Sequence, residues 1–200
     1  MLFRSEGILG LPPDPRGVIV FAHGSGSGRL SPRNNFVARH LQQNGFATLL
    51  LDLLTPDEAE DRRNVFDIDL LADRLLLTKS WLEQEPRTKK LGVGYFGAST
   101  GAGAALQAAA RKPSNIRAVV SRGGRPDLAE TYLPSVAAPT LLIVGGWDEP
   151  VIEMNRSAFE LLSCEKKLII VPGATHLFEE PGTLEQVASH ACAWFLQHHY

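Results

Sequence analysis

A serine flanked by glycines is the residue of this chain best placed for nucleophilic chemistry. Ser99 lies in the run Gly97-Ala98-Ser99-Thr100-Gly101, between an apolar segment, 91–96, and an alanine-rich segment that begins at Thr100. Between a strand and a helix, G-x-S-x-G is typical of a strained turn that lifts the serine hydroxyl above the sheet, where it can attack a carbonyl carbon. The pattern predicts that Ser99 is a nucleophile, although these five residues also fit an ordinary tight turn.

A nucleophilic serine requires a base and a group that orients the base, and candidates for both follow along the chain. Asp148 comes after the apolar segment 140–145, and His176 comes after the apolar segment 167–171. Loops at the carboxyl ends of parallel strands meet at one edge of a sheet, so we expect Ser99, Asp148 and His176 to lie together. Taken alone, the aspartate also fits a helix cap and the histidine a solvated loop residue. Three other carboxylates remain alternative sources of the acid: Asp127, Glu149 and Glu153.

A glycine-rich loop could stabilise the negative charge that acyl transfer creates. The run His23-Gly24-Ser25-Gly26-Ser27-Gly28 follows the first predicted strand. Backbone N–H groups aimed at a developing oxyanion stabilise the transition state. We expect the N–H of Thr100 to be one donor and the N–H of Gly24 or Ser25 to be the other. His23 is interpreted as a structural loop residue.

Four residues near these loops are candidates for binding the substrate. Arg122 and Arg125 follow the strand after the serine and could pair with a carboxylate or phosphate. Trp147 and Leu177, together with Phe178, flank the proposed acid and base and could form an apolar wall. Solvated arginines and aromatic core packing are the structural alternatives.

Apolar runs that alternate with longer amphipathic segments predict a mostly parallel sheet with helices on both faces. The predicted strands are 18–22, 47–52, 91–96, 116–121, 140–145 and 167–171. The predicted helices are 31–45, 65–85, 100–112, 152–162 and 184–197. The stretch 53–64 is predicted to be a surface loop. Little length is left for a cap domain, so we expect an open, shallow site.

Length and composition favour one globular domain, residues 1–200. The 44% hydrophobic and 21% charged content argues against disorder. A formal net charge of -2 gives no general attraction to nucleic acid or to an anionic membrane. The sequence suggests neither a signal peptide nor a membrane span, and Cys164 and Cys192 lack zinc-site spacing. We therefore expect a cytoplasmic protein with reduced thiols, either a monomer or a homodimer.

The order of these features resembles the α/β-hydrolase superfamily and, within it, compact dienelactone-hydrolase-like and small carboxylesterase-like members. The resemblance runs from the His23-Gly24 loop through Ser99 to Asp148 and His176. It implies a single-domain α/β-hydrolase fold without a large cap. Dienelactone hydrolases use a cysteine nucleophile, whereas this chain has a serine. The difference favours a general ester or thioester hydrolase.

Together these features predict a serine hydrolase that cleaves an ester-type bond of a small-molecule substrate, with no metal or organic cofactor. A nucleotide-binding oxidoreductase is one alternative, because 97–103 has a glycine spacing known from such enzymes. That motif belongs on the first strand, however, with an acidic residue about 20 positions later, and neither condition is met. The other alternative is a hydrolase fold that serves only as a binding module.

Overall fold

Seven strands form one mixed sheet. The computed structural model describes residues 5–198. The strands lie in the order β1-β3-β2-β4-β5-β6-β7; β1 pairs with β3 in the antiparallel direction and all other pairs are parallel. Their bounds are β1 Gly7–Gly10, β2 Val18–Ala22, β3 Ala47–Leu51, β4 Val93–Ala98, β5 Ile116–Arg122, β6 Thr140–Gly145 and β7 Lys166–Val171.

Helices cover both faces of this sheet, which is why the central strands are apolar on both sides. The helices are α1 Pro32–Gln43, α2 Pro56–Glu60, α3 Arg62–Val65, α4 Ile68–Leu82, α5 Thr100–Arg111, α6 Glu149–Leu161 and α7 Thr183–His198. A 3₁₀ segment spans Pro126–Ser135. Helices α4 and α5 contribute to one buried apolar cluster, and α1 and α7 contribute to the other, on the opposite face. Each cluster includes residues from β2, β3 and β4, so the two halves of the core share the central strands.

The six predicted strands and five predicted helices are present close to their predicted bounds. Strand β1 was not predicted because it is a short edge strand, only four residues long and paired on one side. The prediction of a surface loop at 53–64 is wrong, because α2 and α3 form there. Thr55 begins α2 with a reciprocal capping box to Glu58, a local signal that was present in the sequence. The ends of the predicted domain, 1–4 and 199–200, lie outside the described residues.

Candidate active site

The predicted serine lies on a sharp turn between β4 and α5. Ser99 has φ 49° and ψ -122°, a sparsely populated positive-φ conformation that costs a non-glycine residue about 1–3 kcal/mol. The turn is so tight that a Cβ at Gly97 would collide with the backbone of Ala102. A Cβ at Gly101 would collide with the carbonyl groups of Ala22 and His23. The two glycines therefore allow β4, α5 and the end of β2 to approach one another.

The predicted acid and base are hydrogen-bonded to each other. His176 Nδ1 lies 2.6 Å from Asp148 Oδ2. Because an ionised carboxylate can only accept, this contact assigns the proton to Nδ1 and leaves Nε2 as an acceptor. Asp148 occupies the N-cap position of α6, yet its side chain makes no capping hydrogen bond. The carboxylate instead accepts the hydrogen bond of the imidazole.

The alternative carboxylates are engaged elsewhere or lie at the surface. Asp127 pairs with Arg125 at 2.7 Å, and Glu153 pairs with Arg156 at 2.6 Å. Glu149 is exposed in the first turn of α6. Asp148 is therefore the carboxylate that meets His176.

The end of β5 contacts both the serine turn and the histidine loop. The N–H of Ser99 donates to the carbonyl of Arg122 over 3.3 Å. Gly123 has φ 51°, and a Cβ built on it would lie 3.2 Å from the carbonyl oxygen of His176 and 3.5 Å from its Nδ1. Residues 122–123 thus lie between Ser99, the candidate nucleophile, and His176, the candidate base. Sequence reasoning had considered this segment only for its arginine side chains.

His23 orders the glycine-rich loop. Its Nε2 accepts the N–H of Leu53 over 3.0 Å, which places the ring proton on Nδ1, 3.0 Å from the carbonyl of Gly24. The N–H of Ser27 also donates to that carbonyl. In a trans peptide the N–H points opposite to the carbonyl, so these bonds fix the direction of the Ser25 N–H. Burial lowers the pKa of His23 and favours the neutral ring, which Nε2 requires in order to accept the N–H of Leu53.

A cavity of about 350 Å³ adjoins the serine turn. The helix segment α2–α3 and the glycine-rich loop form most of its wall; the lining residues are 23–27, 52, 54–56, 59, 65, 71 and 100. Leu54, Val65 and Leu71 make part of that wall apolar. Ser99 and His176 do not line the cavity, but Thr100 and Gly24 do, so it opens beside the predicted oxyanion donors. Gly24, Ser25 and Thr100 were predicted as oxyanion donors, whereas the lining residues between 52 and 71 were missed because most of them lie in the stretch predicted to be a loop.

Three of the four candidate substrate residues lie outside this cavity wall. Two of them are exposed at the surface, and the third is in an ion pair. Trp147 is 68% exposed and Leu177 is 39% exposed. Arg125 donates two hydrogen bonds to Asp127. Phe178, which was grouped with Trp147 and Leu177, is instead buried in the core beside α7.

Arg122, the fourth candidate, is buried without an acidic partner among residues 5–198. The residue is 7% exposed, and its guanidinium carbon lies 5.8 Å from the centre of the Phe178 ring. Burial and the positive charge of Arg33 lower the pKa of Arg122 to about 10. Burying an ion costs several kcal/mol, whereas a desolvated cation–π contact returns about 2 kcal/mol. The aromatic contact alone does not compensate for burial of this charge.

Comparison with known proteins decides the family. A family model described as the alpha/beta hydrolase fold matches residues 17–142. The chain belongs to the α/β-hydrolase family. This α/β-hydrolase is also 57% identical to a dienelactone hydrolase from Anabaena variabilis, with a TM-score of 0.96 over 98% of this chain and 93% of that structure. The predicted fold class is thereby confirmed.

More distant structures share the fold alone. Est1E from Butyrivibrio proteoclasticus, solved with ferulic acid bound, has a TM-score of 0.84 at 17% identity and covers 97% of this α/β-hydrolase and 95% of that chain.

Two Mycobacterium tuberculosis proteins, from strains CDC 1551 and H37Rv, carry the provisional name phosphoribosyl transferase. Both are 63% identical over 192 residues, which is 96% of this chain but 43% of theirs. The chain spans less than half the length of these relatives.

Neither a bilayer-spanning helix nor a metal-binding cluster is found in the described part of the α/β-hydrolase. No helix within residues 5–198 has the length and apolar content needed to cross a membrane. Across the same range, His, Cys, Asp and Glu form no group of three or more that could hold a metal ion. Cys164 and Cys192 are both free thiols.

Proposed function

We propose that this α/β-hydrolase is a serine hydrolase that cleaves ester-type bonds of small substrates through an acyl-enzyme on Ser99. The observation that carries the proposal is the hydrogen bond of 2.6 Å between Asp148 and His176. Ser99 lies in a strained turn at the amino end of α5, and its N–H donates to the carbonyl of Arg122, the residue before Gly123, which is packed close to His176. A solvated loop histidine would hydrogen-bond to water, and a helix-capping aspartate to backbone N–H groups, so neither structural alternative explains this hydrogen bond.

In the proposed reaction, Ser99 attacks a carbonyl carbon while Nε2 of His176 takes the hydroxyl proton. The resulting oxyanion accepts hydrogen bonds from the N–H of Thr100 and from Gly24 or Ser25. Thr100 begins α5, where N–H groups have no intrahelical acceptor. His176 then protonates the leaving group, and a water activated by the same nitrogen releases the acid. Asp148 holds the imidazole tautomer throughout.

The cavity indicates the size of the acyl group. About 350 Å³ beside Thr100 and Gly24 is near the lower end of the range for ligand pockets, and its walls include Leu54, Val65 and Leu71. A short apolar acyl chain suits this space. The dienelactone hydrolase relative supports lactones as further candidates. The transferase name belongs to proteins more than twice as long and is not proposed for this chain.

Active-site labelling tests the proposal directly. The protein is incubated with a fluorophosphonate, and intact mass is compared between wild type and Ser99→Ala, alongside hydrolysis of 4-nitrophenyl butyrate. One adduct on the wild type alone, with turnover that Ser99→Ala lacks, is the expected result. Turnover retained by Ser99→Ala would overturn the assignment of the nucleophile. A folded wild type with neither adduct nor turnover would favour a binding module.

A further inference from the structure

A buried positive charge beside the His176 loop has no role in the proposed reaction. Arg122 is more than nine-tenths buried, and its Nε has no hydrogen-bond partner. Within residues 5–198, its one identified side-chain interaction is with the ring of Phe178, and no carboxylate pairs with it. A guanidinium carries five N–H donors, so this side chain keeps a large unused capacity to bind oxygen atoms.

A second arginine adds to the positive charge instead of balancing it. Arg33, in the first turn of α1, pairs with Glu179, the residue that follows Phe178, whose ring Arg122 contacts, so the same short loop holds both guanidinium groups. The Nε of Arg33 is also buried without a partner. The carboxylate paired with Arg33 is Glu179, at 2.9 Å, whose side chain is 63% exposed. Within residues 5–198, this exposed carboxylate is the one acidic partner of the two guanidinium groups, and it pairs with Arg33. Because 32% of the Arg33 side chain is exposed, solvent reaches the pair from that side.

We propose that Arg122 and Arg33 form a binding site for a small oxyanion, a carboxylate or a phosphate group, at the carboxyl end of β5. The planar fork of donors on arginine suits either group. The site is close to the proposed reaction centre, because the carbonyl of Arg122 accepts the N–H of Ser99 and a Cβ on the next residue, Gly123, would lie 3.2 Å from the carbonyl oxygen of His176. An anionic group carried by the substrate is one source of the ligand and rests on the proposed function. A free ion is the other source.

The substrate source is tested with two esters of equal acyl length. 4-Nitrophenyl hemisuccinate ends in a carboxylate and 4-nitrophenyl butyrate does not. We expect the wild type to favour the hemisuccinate, and Arg122→Met and Arg33→Met each to raise the ratio of its KM to the KM of the butyrate by about tenfold or more. Arg156→Met removes a surface arginine on α6 and is the matched control; we expect it to behave as the wild type.

The free-ion source is tested without turnover. Thermal unfolding is followed with increasing inorganic phosphate at constant ionic strength, and phosphate is expected to stabilise the wild type and Arg156→Met but not Arg122→Met or Arg33→Met. Arg33 lies partly exposed on a helix, so its variant keeps the test open if Arg122→Met does not fold. A response to either probe that both variants lose supports the site. Equal responses of all four proteins to both probes would overturn it, and fluorophosphonate labelling separately reports whether Ser99 is activated.

Discussion

Replacing Gly123 with alanine is expected to slow the proposed reaction while leaving the fold intact. The backbone of Gly123 is left-handed, with φ 51°, so the change destabilises the protein by about 1–2 kcal/mol. In a domain of this size each kcal/mol lowers the Tm by about 2–4 °C. The substitution should therefore be visible in a thermal melt but not prevent folding.

The effect on catalysis comes from the new methyl group. It would lie 3.2 Å from the carbonyl oxygen of His176 and 3.5 Å from its Nδ1 and Cε1. Optimal carbon contacts lie near 3.5–4.0 Å, so the histidine loop must move by about 0.3–0.5 Å. A misplacement of about 1 Å costs about 100-fold in rate, so this smaller shift is expected to lower kcat about four- to tenfold.

Gly182→Ala is the matched control. Gly182 is also left-handed, with φ 80°, but an added Cβ would have no atom within 4 Å. Both variants should lose similar stability, measured by urea unfolding, and only Gly123→Ala should lose kcat toward 4-nitrophenyl butyrate. Equal kcat values for the two variants would refute the inference that Gly123 places the base.

Three further perturbations test separate parts of the site. Asp148→Asn is expected to lower kcat at neutral pH by about 10³- to 10⁴-fold, because the amide no longer selects the Nδ1-protonated imidazole; steady-state hydrolysis measures it. Ala59→Phe, in the cavity wall, is expected to lower kcat/KM for longer acyl chains relative to acetate by about tenfold, measured with a series of 4-nitrophenyl esters. His23→Asn is expected to remove part of the acid sensitivity of folding. Burial lowers the pKa of His23, so the unfolded chain takes up the proton first and the wild type loses stability as pH falls below the ordinary histidine pKa of about 6.5. Urea unfolding at neutral and mildly acidic pH measures the difference.

Each of these expectations has a contradicting result. If Asp148→Asn retains activity within tenfold of the wild type, another carboxylate orients the base and the pairing at 2.6 Å is not used in catalysis. If Ala59→Phe leaves the chain-length profile unchanged, the acyl group does not enter the cavity. If His23→Asn loses as much stability on acidification as the wild type, the protonation of His23 is not a source of the acid sensitivity of folding.

Much of the fold could be predicted from local patterns. Apolar runs of strand length that alternate with amphipathic segments predicted six of the seven strands, because strands covered on both faces must be apolar along their whole length. Strand β1 escaped prediction because a run of four residues, Gly7–Gly10, lacks enough pattern to distinguish it from a loop. Helices α2 and α3 escaped for a related reason, since neither has a buried residue and so neither shows an apolar stripe.

The site divides in the same way. Residue types and chain order predict Ser99, Asp148 and His176 as a triad, since the ends of parallel strands bring distant loops to one edge. The structure brings Asp148 and His176 into hydrogen-bond contact, and the catalytic roles of the three residues stay a prediction. Chain order could not distinguish Asp148 from Asp127, Glu149 or Glu153, because the choice depends on which carboxylate reaches Nδ1 across two loops. Arg122 packs against Phe178, and His176 limits the space at Gly123. Both arrangements join segments about 55 residues apart in the chain. Such contacts arise only when the sheet brings those segments together, since no local pattern encodes how two separate loops pack.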